Sequence, residues 1–259
     1  MKGVIKMSDL WEHDMYINEN DPYLFNTDII EYDMKDAGFS LIKEFKILDK
    51  KTIARLEKLD KQRRHITIGV MEKDNKDLRE GKKEAFKLAR KFFFEANGLE
   101  KGDIVSIKKD AIFTRKICTQ QRFGDYINFR PKNNYSSYIN IGKNMEFYYN
   151  PTHLDVKGLS DDNYKLHKDF MLKFINQFIS KMETEDPDTV IGFTKRFIDK
   201  YKWRKVDIGY YRTLDHRSMF MMNDDSGELY ENYFEEDKWD IDITYNYFTV
   251  LLKLIQIPI

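Results

Sequence analysis

The chain has 259 residues, and its 44 Lys and Arg balance its 44 Asp and Glu. That length suits one large domain or two small ones, and a hydrophobic share of 41% supplies a core, so a mainly disordered chain is excluded. No apolar run approaches the roughly 18 residues of a membrane span, and the opening MKGVIKMSDLWEHD lacks the apolar stretch of a signal peptide. The expected location is the cytoplasm, with no membrane partner. Cys118 is the single cysteine and the five histidines lack metal-ligand spacing, which leaves no intrachain disulfide and no zinc site.

Residues 28–33 (DIIEYD) alternate as a strand that ends at Asp33. Residues 50–64 place Ile53, Leu56 and Leu59 at helical spacing, and a longer helix is predicted over 76–96, with Asn97-Gly98 as its stop. The segment IVSIKKDAIFTRK (104–116) holds two β-rich runs, 104–107 and 111–114, around Lys108-Lys109-Asp110, the pattern of a tight hairpin with Asp110 at or just after its tip. Short strands are expected at 126–130, 136–141 and 145–149, then an amphipathic helix at 161–182 through Leu166, Phe170, Phe174 and Phe178. The tail reads as a helix near 187–201, strands near 208–222 and a last helix near 241–256. The fold class is α+β on an antiparallel sheet.

Charge is segregated along the chain. Residues 41–130 carry 24 basic against 14 acidic side chains, while residues 1–40 carry 3 against 9 and residues 131–259 carry 17 against 21. A local basic patch is what counterion release on a polyanion needs, so neutrality of the whole does not exclude nucleic acid. Arg79, Lys83, Lys87 and Lys91 recur every four residues on the 76–96 helix as one basic stripe, which a solvated helix face also produces. The stretch 224–242 holds nine acids and one lysine, suited to shielding a basic surface, mimicking nucleic acid or docking a partner protein.

Two aspartates at strand ends, separated by a helical excursion, are what two-metal phosphoryl transfer requires: carboxylates on adjacent strands that bridge two Mg²⁺ ions about 3.5–4 Å apart. Asp33 and Asp110 fit that pattern, although an aspartate after a strand is also a common turn residue.

The string YDMKDAGFS (32–40) is similar, at Tyr32, Asp33, Ala37 and Ser40, to the first palm motif of family B DNA polymerases, often YDxxSAYPS in phage and protein-primed members. SIKKDAIF (106–113) resembles the family's third motif, a hairpin bearing Asp-Thr-Asp, with Lys108-Lys109 in place of the first two residues and Asp110 as the metal-binding aspartate. PKNNYSSYI (131–139) and LDVKGL (154–159) follow in the family's order, as a primer-gripping segment and an entry to the thumb.

The resemblance implies a polymerase-like palm over residues 1–182, with a fingers insertion at about 41–100 and the start of a helical thumb, followed by a thumb-like or accessory region at 183–259. It implies catalytic Asp33 and Asp110, with Met34 joining them as metal ligands. Ala37, Gly38 and Phe39 would face a nucleoside triphosphate, as would Lys83, Lys87 and Lys91 of the fingers helix. Lys109, Lys132, Tyr135 and Lys157 would contact nucleic acid. Gly38 departs from the family, whose aromatic residue there excludes the ribose 2′-hydroxyl, and Lys108 adds positive charge beside the metals. With 32 residues ahead of Asp33, the expectation is a reduced, exonuclease-less member from a phage or other mobile element. The implied activity is template-dependent nucleotidyl transfer with two Mg²⁺ ions. The alternative is an inactive polymerase-like module for nucleic-acid binding or protein interaction, as a subunit of a larger complex or a phage inhibitor.

Overall fold

The computed structural model describes residues 7–140, 146–158, 175–202, 220–222 and 229–231. Its strands up to the first sheet's end are β1 (Met15–Ile17), β2 (Tyr23–Leu24), β3 (Ile29–Met34), β4 (Ile104–Lys108), β5 (Ala111–Thr114), β6 (Arg122–Phe123) and β7 (Ile127–Tyr135). Four helices lie between β3 and β4: α1 (Ala37–Glu44), α2 (Lys50–Glu57), α3 (Lys61–Asp74) and α4 (Lys76–Asn97). Then come β8 (Ser137–Asn140), β9 (Glu146–Asn150), β10 (His153–Lys157), helical residues 175–184 (α5), α6 (Pro187–Lys202), β11 (Phe220–Met222) and β12 (Leu229–Glu231). The architecture is α+β, and all strand pairings are antiparallel among the described residues.

The chain divides into two compact units, Met1–Asp21 with Thr27–Tyr135, and Pro22–Asn26 with Ser136–Ile259. Sequence alone groups 1–182 together; the division falls at 135/136 because β8, β9 and β10 pair with β2 in a sheet of their own, in the order β10-β9-β8-β2. The second unit also holds α5, α6 and the β11–β12 ribbon. The expected helix at 161–174, the strands at 208–219 and the helix at 241–256 lie outside the described residues.

The first unit is a six-stranded sheet in the order β1-β4-β5-β3-β7-β6. Its helix-facing side follows from alternation in β3: Ile30, Tyr32 and Met34 turn one way and join a core with Phe86, Ala89, Phe93 and Phe94 of α4 and with Ile107, Ile112 and Phe129 of the neighbouring strands. Burial of each such large side chain contributes about 1.5–3 kcal/mol. Period two then sends Glu31 and Asp33 to the other face. A second cluster of Phe39, Ile42, Leu56, Ile68 and Leu78 joins α1–α4 to one another.

Helix boundaries are written in caps. Asp49 accepts from the amides of Lys51 and Thr52, Asp60 from Arg63, and Asn75 from Leu78. Gly98 takes φ +54° and closes α4 with bonds from Gly98 N–H to Glu95 and from Leu99 N–H to Phe94, so the expected stop is where the helix ends. The single helix expected over 50–64 is two, because Asp60 ends one periodic run and caps the next. Helix α1, which no sequence signal announces, begins at Ala37 within the segment expected to be a turn.

Candidate functional site

β3 is central, between β5 and β7, and this places Asp33 beside the hairpin tip. Asp33 stands opposite Ala111 on β5, and the amide of Met34 donates to the Asp110 carbonyl at 3.0 Å. Lys109 and Asp110 form the two-residue turn between β4 and β5. Lys109 adopts φ +54°, a conformation that L residues enter at a cost, and it swings the chain so that Asp110 follows directly into the β5 ladder.

Both carboxylates are half-buried. Asp33 titrates above the ordinary carboxylate value, chiefly because burial disfavours its charge, with Asp110 and Glu31 adding repulsion and Lys132 and Arg130 opposing it. Arg130 lies directly across from Asp33 on β7.

Glu31, two residues before Asp33 on the same face, is only 1% exposed. It accepts from Lys132 Nζ at 3.0 Å, Asn133 Nδ2 at 2.7 Å and the Tyr135 hydroxyl at 3.1 Å. A buried carboxylate with three donors is satisfied, and here one of the donors also acts on Asp33. Sequence reasoning misses Glu31 because its partners arrive from about a hundred residues further along the chain.

The expected site residues therefore divide. Asp33, Asp110, Met34, Lys132 and Tyr135 come together in the β3, β5 and β7 region. The Met34 side chain lies in the core, as does Tyr135, whose ring is 2% exposed and whose hydroxyl is spent on Glu31 rather than turned to a ligand. Ala37, Gly38 and Phe39 form the first turn of α1, where Ala37 and Phe39 are buried and space beside Gly38 is open. Phe39 packs with Ile42, Leu56, Ile68 and Leu78, so its ring is part of the inter-helix core.

Lys83, Lys87 and Lys91 are not gathered with the aspartates. α4 packs against the Tyr32 and Met34 face of the sheet, whereas Asp33 points to the opposite face. Lys87 pairs with Glu84 at 3.4 Å and Lys91 with Glu95 at 3.9 Å, while Lys83 is exposed. Lys109 also turns toward the helices, its Nζ 5.5 Å from the Phe86 ring centroid. Lys157 lies in the second unit, on β10, 3.4 Å from Asp155.

The α4 residue that does reach the hairpin is Arg90, which has no exposed surface. It donates to the carbonyls of Trp11 (2.8 Å) and Lys109 (2.9 Å) and to Asp14 Oδ1 (2.9 Å), and Lys109 N–H donates in turn to the Asp14 carbonyl at 2.7 Å. Tyr32, which precedes Asp33, supports the structure from the core side of the sheet. It is 2% exposed, and its hydroxyl accepts from the Cys118 amide at 2.8 Å. Burial pushes the Cys118 thiol up to about 11, which keeps it protonated and unreactive.

Among the described residues, no group of three or more His, Cys, Asp and Glu side chains is gathered for a metal. Asp33 and Asp110 have the oxygen-donor chemistry of a divalent site: the charge of Asp110 acts against that of Asp33, and a divalent cation would relieve that repulsion. Lys132 and Arg130 already relieve part of it. No helix among the described residues is long and apolar enough to cross a membrane.

A search of curated proteins finds no match to the chain. A family model, described as Bacteriophage PBS1 gene 130 protein, matches residues 6–259, nearly the whole length. The chain belongs to the family of the bacteriophage PBS1 gene 130 protein.

Proposed function

We propose that this phage-family protein carries out metal-dependent nucleotidyl transfer on nucleic acid, with Asp33 and Asp110 as the metal-holding carboxylates. The observation that carries the reading is their adjacency: one is the penultimate residue of the central strand, the other leaves the neighbouring hairpin turn, and the charge of Asp110 acts on Asp33. An antiparallel sheet with helices on one face, and Asp33 on the other face beside the turn that carries Asp110, is the arrangement that the family B palm resemblance leads one to expect.

Bound Mg²⁺ would supply activation of an attacking 3′ oxygen and charge stabilisation for a leaving pyrophosphate. Arg130 and Lys132 stand next to the carboxylates and are placed to hold the phosphates of a primed strand by charge-assisted hydrogen bonds. Lys132 is held in place by its bond to Glu31, which limits its freedom to follow a ligand.

Those same cations favour a second reading, an inactive palm kept for binding. Lys132 and Arg130 already offset the carboxylate charge that a metal would otherwise neutralise, and Lys83, Lys87 and Lys91 lie behind the sheet. The discriminating experiment is incorporation of a labelled nucleotide on a primed template, with and without Mg²⁺, by the wild type and by Asp33→Ala. Metal-dependent incorporation that Asp33→Ala abolishes supports the enzyme. Equal inactivity of both, with template binding that ignores Mg²⁺, supports the binding module.

A further inference from the structure

At the rim of the first unit's sheet, beyond the end of β3, lies a cavity of about 460 Å³. Its walls come from five segments: the β3–α1 junction, α1, the end of α2, α3, and the β6–β7 hairpin. Four cationic side chains converge there, Lys35, Lys43, Arg64 and Arg122.

The cavity is built rather than incidental. Glu44 Oε2 accepts from the amides of Asp125 (2.9 Å) and Tyr126 (2.8 Å), which docks the β6–β7 turn onto the end of α1. Gly124 is at φ +64°, and a Cβ there would fall onto the Glu44 carboxylate, so the turn needs glycine at this position. The docked turn sets the Tyr126 ring 3.9 Å from Lys43 Nζ, and Arg64 lies 4.5 Å from the Phe39 ring centroid, so both cations are fixed on aromatic faces.

Three carboxylates also line the cavity. Two of them face cations: Glu57 pairs with Lys43 at 3.0 Å, and Asp36 pairs through Oδ2 with Arg64 at 2.7 Å, while its buried Oδ1 lacks a hydrogen bond and has His65 Nε2 at 3.5 Å. The third, Asp125, is exposed on the turn. Lys35 and Arg122 are exposed and their side chains make no ion pair among the described residues. The Arg64 Nε is buried without a hydrogen-bond partner, a donor left over inside the wall.

We propose that this cavity binds the terminal phosphate of a nucleotide-sized ligand, with Arg122 and Lys35 as the principal contacts and Ser40 and Asn128 as polar neighbours. The guanidinium fork matches phosphate oxygens, and the volume falls in the roughly 300–1,000 Å³ range of small-molecule sites, well beyond a lone phosphate. Its polar walls suit an anion with attached sugar. The ligand is a phosphorylated nucleoside, present either as a free nucleotide or as the 5′ end of a strand. The cavity includes Phe39 of the segment expected to face a triphosphate, but neither Asp33 nor Asp110 lines it, so the inference goes beyond the reading of those two carboxylates.

The test is equilibrium binding to the full chain, in chelator, of ATP, adenosine, and one oligonucleotide with either a 5′-phosphate or a 5′-hydroxyl. The wild type is compared with the Lys35→Ala/Arg122→Ala double variant, both positions being exposed and tolerant of change. The expected result is binding that requires the phosphate and is weakened at least about tenfold in the double variant, the size of one lost charge-assisted hydrogen bond. Preference for ATP identifies a free nucleotide, and preference for the 5′-phosphorylated strand identifies a strand end. Binding equal for adenosine and ATP, binding unchanged in the double variant, or no binding of either phosphorylated probe overturns the proposal. Metal-dependent incorporation is a separate assay, so the two readings fail independently.

Discussion

The guanidinium of Arg90 donates to the carbonyl of Lys109 at 2.9 Å, so the long helix packed on the sheet grips the turn that carries Asp110. Burial pulls the Arg90 pKa down, with Asp14 opposing the shift, yet an arginine stays charged at any ordinary pH. Replacing Arg90 with Met keeps the volume and leaves two carbonyls and Asp14 without their donor. The expected cost is about 2 kcal/mol, read from urea unfolding, because two carbonyls lose a charged donor, while Asp14, 43% exposed, is left to solvent. The Lys109→Gly change is the counterpart. It relieves the φ +54° conformation and should stabilise by about 1 kcal/mol, and a loss instead would mean that the Lys109 side chain over Phe86 outweighs the strain.

Asp33 makes folding dependent on pH in the direction opposite to an ordinary paired carboxylate. Its pKa is raised in the folded chain, by burial first and then by Asp110 and Glu31, so the folded state binds the proton more tightly than the unfolded state. Stability is then greatest below the unfolded carboxylate value and falls as pH rises through the folded one. Asp33→Asn removes the penalty. The variant should melt higher than the wild type at pH 7, and the gap should close as the pH is lowered past the usual carboxylate range. A gap independent of pH would mean that Asp33 is not titrating in this window.

Gly124 and Glu44 form a pair whose coupling is measurable. Gly124→Ala carries the cost of φ +64°, about 1–2 kcal/mol, and adds the displacement of the Glu44 carboxylate from the Asp125 and Tyr126 amides. In a Glu44→Ala background the second part is already absent, so the glycine substitution should cost only the backbone share. Additive losses in a double-mutant cycle would show that the turn does not rest on Glu44.

The elements legible in the sequence are those whose signals are local. β3 shows as alternation, the β4–β5 hairpin as two β-rich runs about a polar triplet, α4 as a periodic run closed by Gly98, and α6 as a helix near 187–201 that spans Pro187–Lys202. The α2–α3 break is hidden because Ile53, Leu56 and Leu59 keep helical spacing up to Asp60, and an aspartate inside a charged run gives little sign that it is a cap. At the site, Asp33 and Asp110 are legible from strand ends. Arg90 is not, since it sits one position from the basic stripe of α4 and only the tertiary packing of α4 shows which cation is inward. Glu31 and the rim cavity depend on residues from distant segments, which no window of sequence brings together.

Lys132 links the buried Glu31 to the half-buried Asp33, and its removal should disturb both. Lys132→Met leaves Glu31 with Asn133 and Tyr135 as donors but no cation, at a cost of about 1–2 kcal/mol, discounted because the lysine itself is 44% exposed. Lys132 is also the largest influence holding the Asp33 carboxyl down, so the Asp33 pKa should climb further in the variant. The second effect acts on the ionised Asp33 carboxylate. That part of the loss should therefore be largest near pH 7 and shrink as the pH falls below the carboxylate range, with a steeper decline of stability on raising pH than in the wild type. Lys132→Arg should restore both the stability and the slope. If the enzyme reading is right, Lys132→Met also binds Mg²⁺ more tightly, since the cation competing for Asp33 is gone; calorimetric titration with Mg²⁺ alone measures this, and an unchanged affinity would separate Lys132 from the metal.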